Sequence, residues 1–179
     1  MKTSAGTWEG EIFHLGAIGV EISKPSADGW DALVRIQRVN ADVLIAGSSL
    51  TVSLQQSGAP FIRRVGYESL TGVGYRPRTD WRSRETLRLG VVTEDRRQLC
   101  IDLTLHKTVD AAEVAQSIAQ RAARHRLRHA PAGHRDHYAG LAAVARLPLP
   151  RLDRFAVYQL ATSVRTREIA ESSSASAAL

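Results

Sequence analysis

Residues 85–103 read ETLRLGVVTEDRRQLCIDL and residues 108–127 read TVDAAEVAQSIAQRAARHRL, and these two adjoining stretches decide the fold. In the first stretch, apolar and polar residues alternate on both sides of a charged turn, which predicts a β-hairpin. In the second stretch, small and aliphatic residues recur every three or four positions, which predicts one amphipathic helix. A hairpin followed by a one-sided helix indicates that the helix covers the apolar face of a sheet.

The ends of this helix are marked by ordinary capping chemistry. Asp110 with Glu113 three residues later fits a capping box, and Thr108 is an alternative cap. Arginines crowd the last turns, where positive charge suits the negative end of the helix dipole. Pro131 and Gly133 then end the helix. The sequence therefore predicts a helix from about residue 107 to residue 127.

Short strands precede the hairpin from Thr7 onward. Turn-forming residues separate them at intervals of about ten residues, which is typical of an antiparallel sheet or a barrel. We therefore expect an α+β fold: an antiparallel, bent β-sheet or small barrel, capped by a C-terminal amphipathic helix. The predicted strands are residues 8–14, 17–22, 32–39, 43–46, 50–54, 61–67, 70–75, 85–93 and 98–105.

The chain beyond the capping helix differs in character. Residues 136–146 predict a short Ala-rich helix, and residues 147–150 must be extended because they read LPLP. Residues 153–169 predict a second amphipathic helix. The predicted organisation is a flexible N-terminus at 1–6, a sheet domain with its closing helix at 7–130, a helical arm at 131–170 and a disordered tail at 171–179.

Over about residues 42–128, the order of these features resembles a bacterial pleckstrin-homology-like (PH-like, or GRAM-like) domain. VLIAGSSLTVSL at 43–54 resembles the opening hairpin, and PFIRRVGYESLTGVGYRP at 60–77 resembles the strands that follow it. The two stretches quoted first resemble the last hairpin and the closing helix. The resemblance implies a bent seven-stranded sheet with one open end closed by the helix. Another small helix-capped barrel is the alternative.

The basic composition raises the possibility of a polyanion ligand. The chain has 21 arginines, 3 lysines and a formal net charge of +6. A GC-rich genome accounts for such an arginine excess without any selection for function, so the position of the charges matters more than their sum. The candidate DNA or RNA contacts are Arg121, Arg124 and Arg128 on one side of the helix, and Arg76, Arg78, Arg82 and Arg84 around the loop after Tyr75.

Histidines cluster where the helix ends. His125 and His129 are four residues apart and share a helix face, and His134 and His137 follow. Convergent imidazoles bind zinc in many proteins, but the surrounding arginines would repel a divalent cation. We therefore interpret the cluster as a solvated helix end and predict no metal site. A weak pH response is expected, because histidine titrates near neutrality.

No pattern of catalytic or cofactor-binding residues stands out. Ser48 and Ser49 lack the G-x-S-x-G context of a nucleophile, and the G-x-G at Gly72 is not followed by a helix. Asp102 and His106, at the end of the last strand, are the one acid–base pair to consider for an enzymatic or small-ligand-binding barrel. We expect no catalytic residues, no cofactor and no enzymatic activity.

A single cysteine, Cys100, excludes a disulfide framework and fits a reducing compartment. The N-terminus lacks the apolar core of a secretory signal, and no apolar run is long enough to span a bilayer. The sequence therefore predicts a cytoplasmic protein without a transmembrane segment.

The leading functional hypothesis is a non-enzymatic protein-interaction module. An amphipathic helix tethered through prolines must cover its apolar side by packing on its own domain, on a second copy or on a partner. The arm is therefore expected to serve self-association or partner docking. The expected docking residues are Phe155, Tyr158, Ala161 and Val164.

Overall fold

The computed structural model describes residues 7–9, 12–27, 29–46, 48–54, 61–77, 84–147 and 156–160. These residues form nine strands and two α-helices, with short 3-10 turns at Tyr67–Ser69 and Ala132–His134. The elements are β1 Thr7–Glu9, β2 Ile12–Ser26, β3 Gly29–Ile45, β4 Ser49–Leu54, β5 Phe61–Gly66, β6 Leu70–Arg76, β7 Thr86–Val92, β8 Gln98–Leu105, α1 Ala111–His129, α2 Arg135–Val144 and β9 Ala156–Gln159.

The strands form one antiparallel sheet in the order β5-β4-β3-β2-β8-β7-β6-β9, and β1 pairs with β2 outside this path. β5 and β6 are six strand spacings apart in that order, about 29 Å if the sheet were flat. The three-residue turn Tyr67–Ser69 joins them, yet it spans at most about 14 Å. The sheet must therefore bend. The α+β prediction is confirmed, and the bent sheet stays open within the described residues.

The apolar core lies between this sheet and α1. Alternate strand residues such as Ile45, Leu50, Leu89 and Leu103 are fully buried, as the period of two predicts. α1 contacts β6, β7 and the turn at Tyr67–Ser69. Small side chains allow this close approach, because five of its seven buried residues are alanines. The buried face of α1 comprises Ala111, Val114, Ala115, Ile118, Ala119, Ala122 and Ala123.

The predicted N-cap of α1 at Asp110 is confirmed. The Asp110 carboxylate accepts hydrogen bonds from the backbone N–H groups of Ala112 at 3.0 Å and Glu113 at 3.2 Å. Glu85, just before β7, accepts from the Ala111 N–H at 2.8 Å. Thr108 is not the cap, because its hydroxyl bonds the His106 ring at 3.1 Å. These acceptors satisfy backbone donors that the first turn of a helix leaves free.

β2 and β3 form a longer hairpin than the sequence predicts. The strand predicted at 32–39 and the first three residues of the strand predicted at 43–46 are parts of β3, and the break between the strands predicted at 17–22 and 32–39 is shorter, since β2 continues to Ser26. The register shifts at two bulges, and Leu33 in β3 is left without an opposite residue at one of them. Bulges interrupt the regular alternation by which long strands are recognised.

The prediction of a second amphipathic helix at 153–169 is wrong at residues 156–159. These residues form β9, which pairs antiparallel with β6 from Gly72↔Gln159 to Tyr75↔Ala156. An unpaired edge of β6 offers backbone hydrogen bonds that outweigh the weak helical pattern. The short helix predicted at 136–146 is confirmed as α2. It packs on α1, where the Gln116 side chain donates to the Arg146 carbonyl at 2.8 Å. The domain boundaries stay a prediction.

Candidate functional site

The half of the long hairpin that extends beyond β4 is the most prominent exposed feature of the described sheet. β4 pairs with β3 only between Ala41 and Ile45, so residues 29–37 pair with β2 alone within the described residues. Five consecutive residues, from Asp31 to Arg35, are exposed. They include Leu33 at 53% and Val34 at 36% exposure, two large apolar side chains that are adjacent in the sequence.

Charged pairs flank this exposed stretch. The Arg35 guanidinium Nε lies 2.6 Å from Glu21 Oε2 across the hairpin. The hydrogen bond to Glu21, together with its charge, raises the pKa of Arg35 above its usual value. Lys24 faces Asp31 in the same ladder. Opposite charges at paired positions favour this hairpin register.

A groove of about 800 Å³ lies beside the exposed stretch. Leu33 forms part of one wall, and the turn between β7 and β8 forms another. Val65, Val91 and Leu99 add apolar surface, while the charged lining residues are Lys24, Arg64, Glu94, Asp95 and Arg97. Apolar surface with a charged rim of both signs suits a polypeptide segment better than a polyanion.

The histidine cluster converges only in part. The rings of His125 and His129 lie 4.4 Å apart, and His125 Nε2 is 3.7 Å from Glu68 Oε2. These three residues help to line a cleft of about 340 Å³, to which neither His134 nor His137 contributes. Within the described parts of the chain, no group of three or more potential ligands can hold a metal ion.

The electrostatic environment of His125 disfavours its charged form. Burial and the neighbouring His129 lower the pKa of His125 below 6.5, although Glu68 acts in the opposite direction. Arg126 and Arg128 also lower it. The cleft therefore holds a neutral imidazole at neutral pH.

Arg126 is the structurally decisive residue that the sequence reasoning missed. Its guanidinium donates to four backbone carbonyls, two of them in the Tyr67–Ser69 turn, at Tyr67 (3.1 Å) and Glu68 (3.1 Å). The other two acceptors are the carbonyls of Leu70 in β6 and Leu160 after β9. Burial lowers the pKa of Arg126. A helical projection could have found it, because Arg126 follows buried Ala122 by four residues and buried Ala123 by three.

The predicted basic residues form two separate zones. Arg121, Arg124 and Arg128 lie on one side of α1 as predicted, and Arg124 and Arg128 are exposed. Arg76 lies at the other end of β6 from Leu70, about 20 Å away along the strand. Leu70 is next to the end of α1 through Arg126, so the helix arginines and Arg76 lie toward opposite ends of β6. Arg84 precedes β7, whereas Arg78 and Arg82 lie outside the described residues.

The structure does not bring the candidate acid–base pair together. Arg88 binds both carboxylate oxygens of Asp102, at 2.7 and 2.5 Å. His106 instead bonds the Thr108 hydroxyl, beyond the end of β8. Burial, reinforced by the Asp102 charge, raises the pKa of the Cys100 thiol to about 12. Neither the acid–base pair nor the thiol is therefore prepared for acid–base or nucleophilic chemistry.

Of the predicted docking residues, only Tyr158 lies in the described chain, in β9 opposite Val73. Phe155, Ala161 and Val164 lie outside it. No described helix is both long enough and apolar enough to cross a bilayer. The cytoplasmic location stays a prediction.

No protein-family model matches the chain, and neither does any curated protein. Two of the solved structures that are similar to it are proteins connected with sporulation. One is an SsgA-like sporulation-specific cell division protein from Thermobifida fusca, 12% identical over 80% of this chain and 97% of that chain, with a TM-score of 0.30. The other comes from work on SsgB, in which mutations correlate to longitudinal cell division during sporulation of Streptomyces coelicolor. It is 8% identical over 73% of this chain and 99% of that chain, with a TM-score of 0.26. Scores this low carry neither a fold nor a function across to this chain.

Proposed function

We propose that this protein is a non-enzymatic interaction module that binds a polypeptide segment in extended conformation along the exposed part of β3. The observation that carries the proposal is the run of five exposed residues from Asp31 to Arg35 on a strand with one described partner. A strand edge of this kind offers backbone donors and acceptors to an added strand. Leu33 and Val34 add the apolar contact that such a complex needs.

The neighbouring groove supports the proposal. Leu33 belongs both to the exposed stretch of β3 and to the lining of the groove, so a segment bound at the strand edge would lie beside the groove. Lys24 and Arg64 at the rim would favour a segment that carries acidic residues, and Glu94 would favour a basic residue. Backbone bonds would supply affinity, and the groove would supply selectivity.

The C-terminal arm supports the same mode of binding within one chain. β9 joins the sheet by antiparallel pairing with β6, and Arg126 holds the carbonyl of Leu160 that follows it. This sheet therefore already accepts one extended segment at an edge. The PH-like assignment is kept as part of the proposal, supported by a bent antiparallel sheet with a helix packed on it.

The proposal is tested by comparing Leu33→Asp with Val144→Asp as baits. Both residues are large, apolar and exposed, at 53% and 56%, but Val144 lies on α2, in neither the strand edge nor the groove. Proteins retained from a lysate of the source organism are quantified by mass spectrometry, and thermal melting confirms that each bait is folded.

We expect a set of proteins that binds the wild type and Val144→Asp but is lost with Leu33→Asp. Retention of the same set by all three baits would contradict the proposed surface.

A further inference from the structure

β9 and Leu160 lie along the edge of β6 and are held there by backbone pairing and one buried side chain. Two of the four pairs of β9 are with Gly72 and Gly74, so β6 contributes no side chain to those pairs. The Leu160 N–H donates to the Thr71 carbonyl at 3.0 Å, and the Leu160 carbonyl accepts from Arg126. The Leu160 side chain is only 1% exposed. The edge of β6 is therefore a binding site for a short extended segment that ends in an apolar residue.

Opening of this edge costs far less than unfolding of the domain, but it leaves polar groups without partners. A short strand at the edge of a sheet opens locally, whereas the core strands open only with the whole domain. Without Leu160, the carbonyl of Thr71 loses its donor and the buried guanidinium of Arg126 loses an acceptor. Burial already lowers the pKa of Arg126, because it disfavours the charged form. An edge that opens locally and is unfavourable when empty will take up another segment of the same kind.

We propose that a second copy of this chain fills the open site, so that two molecules exchange residues 156–160. The structure shows the segment AVYQL bound at this edge, and every copy carries that segment. Exchange therefore remakes between two chains the contacts that exist within one, and it needs no new interface. β2, β8 and β7 separate this edge from the exposed stretch of β3, and neither surface requires the other.

The connection before β9 decides how readily this strand binds its own edge. Eight residues, 148–155, join Leu147 to Ala156, and Pro148 and Pro150 are among them. Proline fixes its own φ angle and favours an extended conformation in the residue before it, so this sequence resists folding back sharply. Short tethers hold a segment at an effective concentration on the order of 1 mM. We therefore expect β9 to bind its own edge in dilute solution and exchanged pairs to become abundant near that concentration.

A disulfide between Gly72→Cys and Gln159→Cys reports which chain occupies the edge. The hydrogen bond from Leu160 to Thr71 flanks the pair Gly72↔Gln159, so this is a non-hydrogen-bonded pair with Cα atoms about 4.5 Å apart. That separation suits a disulfide. Cys100 does not compete, because it is buried and its pKa is raised to about 12. A full chain with both substitutions should form the bond within one molecule, which verifies its fold and register.

Exchange is measured by mixing the two single variants at about 0.5 mM each under mild oxidation. We expect a disulfide-linked heterodimer joined between positions 72 and 159, identified by mass spectrometry of the digested protein. Its yield should exceed by at least ~10-fold that of Val144→Cys mixed with Gln159→Cys, because Val144 is open to random collisions but lies on α2. Absence of the heterodimer, when the double variant forms its bond, would overturn the exchange.

Small-angle X-ray scattering of the unsubstituted chain from about 0.05 to 1 mM gives a second test that does not depend on the cysteine variants. At the highest concentration we expect a dimer fraction of at least ~10%, which Tyr158→Pro lacks because proline cannot donate a backbone hydrogen bond from β9. A wild type that stays monomeric over the whole range refutes the exchange. Dimers that Tyr158→Pro forms equally well refute it too, since they would not involve β9.

Discussion

At the scale of single residues, Arg126 links α1 to two parts of the molecule that are distant from it in sequence, residues 67–70 and residue 160. Its guanidinium reaches the Tyr67–Ser69 turn, β6 and the residue after β9 through backbone carbonyls alone. A buried carbonyl that loses its donor retains the cost of its desolvation. These hydrogen bonds therefore do not depend on the side chains of the accepting residues. They fix the path of the backbone at this end of the sheet.

We predict that Arg126→Met lowers the free energy of unfolding by about 2–4 kcal/mol, because several buried carbonyls lose a charged donor at once. Urea denaturation measures the difference. Arg124→Met is the matched control, because Arg124 is exposed two residues earlier and its contact within the described chain is a 3.4 Å hydrogen bond to Gln120. It should change stability by less than about 0.5 kcal/mol. Equal effects of the two substitutions would contradict the structural role of Arg126.

A second prediction concerns His125. Its pKa is lower in the folded protein than 6.5, so the unfolded chain binds its proton first as the pH falls. The stability from the neutral imidazole is therefore present above about pH 6.5 and is lost as the pH drops through the folded value. We expect wild-type stability to fall more steeply between about pH 7.5 and pH 5.5 than that of His125→Gln.

Urea midpoints at both pH values measure this, with His106→Gln as the control at an exposed position outside the cleft. If His125→Gln loses as much stability on acidification as the wild type, the lowered pKa is not the cause.

At the scale of elements, the sequence predicts those helices and strands that depend mainly on interactions between residues close together in the chain. α1 is predictable because its cap at Asp110 and its apolar period are both encoded within about twenty residues. β9 is not, because Phe155, Tyr158 and Ala161 recur at a spacing of three that fits a helix equally well. The free edge of β6, some eighty residues earlier in the chain, decides the outcome. The exposed half of β3 escapes prediction for a related reason, since its exposure depends on where β4 ends.

We predict that Tyr158→Pro detaches β9 from β6, because proline cannot donate a backbone hydrogen bond and is poorly tolerated in a paired strand. Hydrogen exchange should then accelerate at the β6 residues Gly72–Tyr75, while β2 and β8 remain protected. Tyr158→Ala, which keeps the backbone N–H, is the control. Unchanged exchange in Tyr158→Pro would show that β9 contributes no protection to that edge.

At the scale of the whole molecule, the charge distribution weighs against a polyanion site. The helix arginines and Arg76 lie toward opposite ends of β6 and do not combine into one described basic surface. Arg126, the most constrained of the helix arginines, is committed to backbone carbonyls. Composition alone cannot distinguish such structural arginines from exposed ones, so the sequence could not show which arginines are accessible to a ligand.

The last prediction tests the polyanion alternative directly. Arg121, Arg124 and Arg128 are replaced together by Gln, and the wild type and the variant are applied to a column that carries double-stranded DNA. Three exposed or half-buried arginines on one helix side can release only a few counterions, so we expect both proteins to elute below about 0.15 M salt.

Replacing Asp95, Arg96 and Arg97 by Gln, on the turn between β7 and β8, provides a control with a smaller change in net charge at another surface. Wild-type retention above about 0.3 M salt that only the helix variant loses would establish a nucleic-acid surface on α1, because sequence-independent binding follows the number of phosphate contacts. Retention that both variants reduce in proportion to their net charge would instead reflect the overall charge of +6.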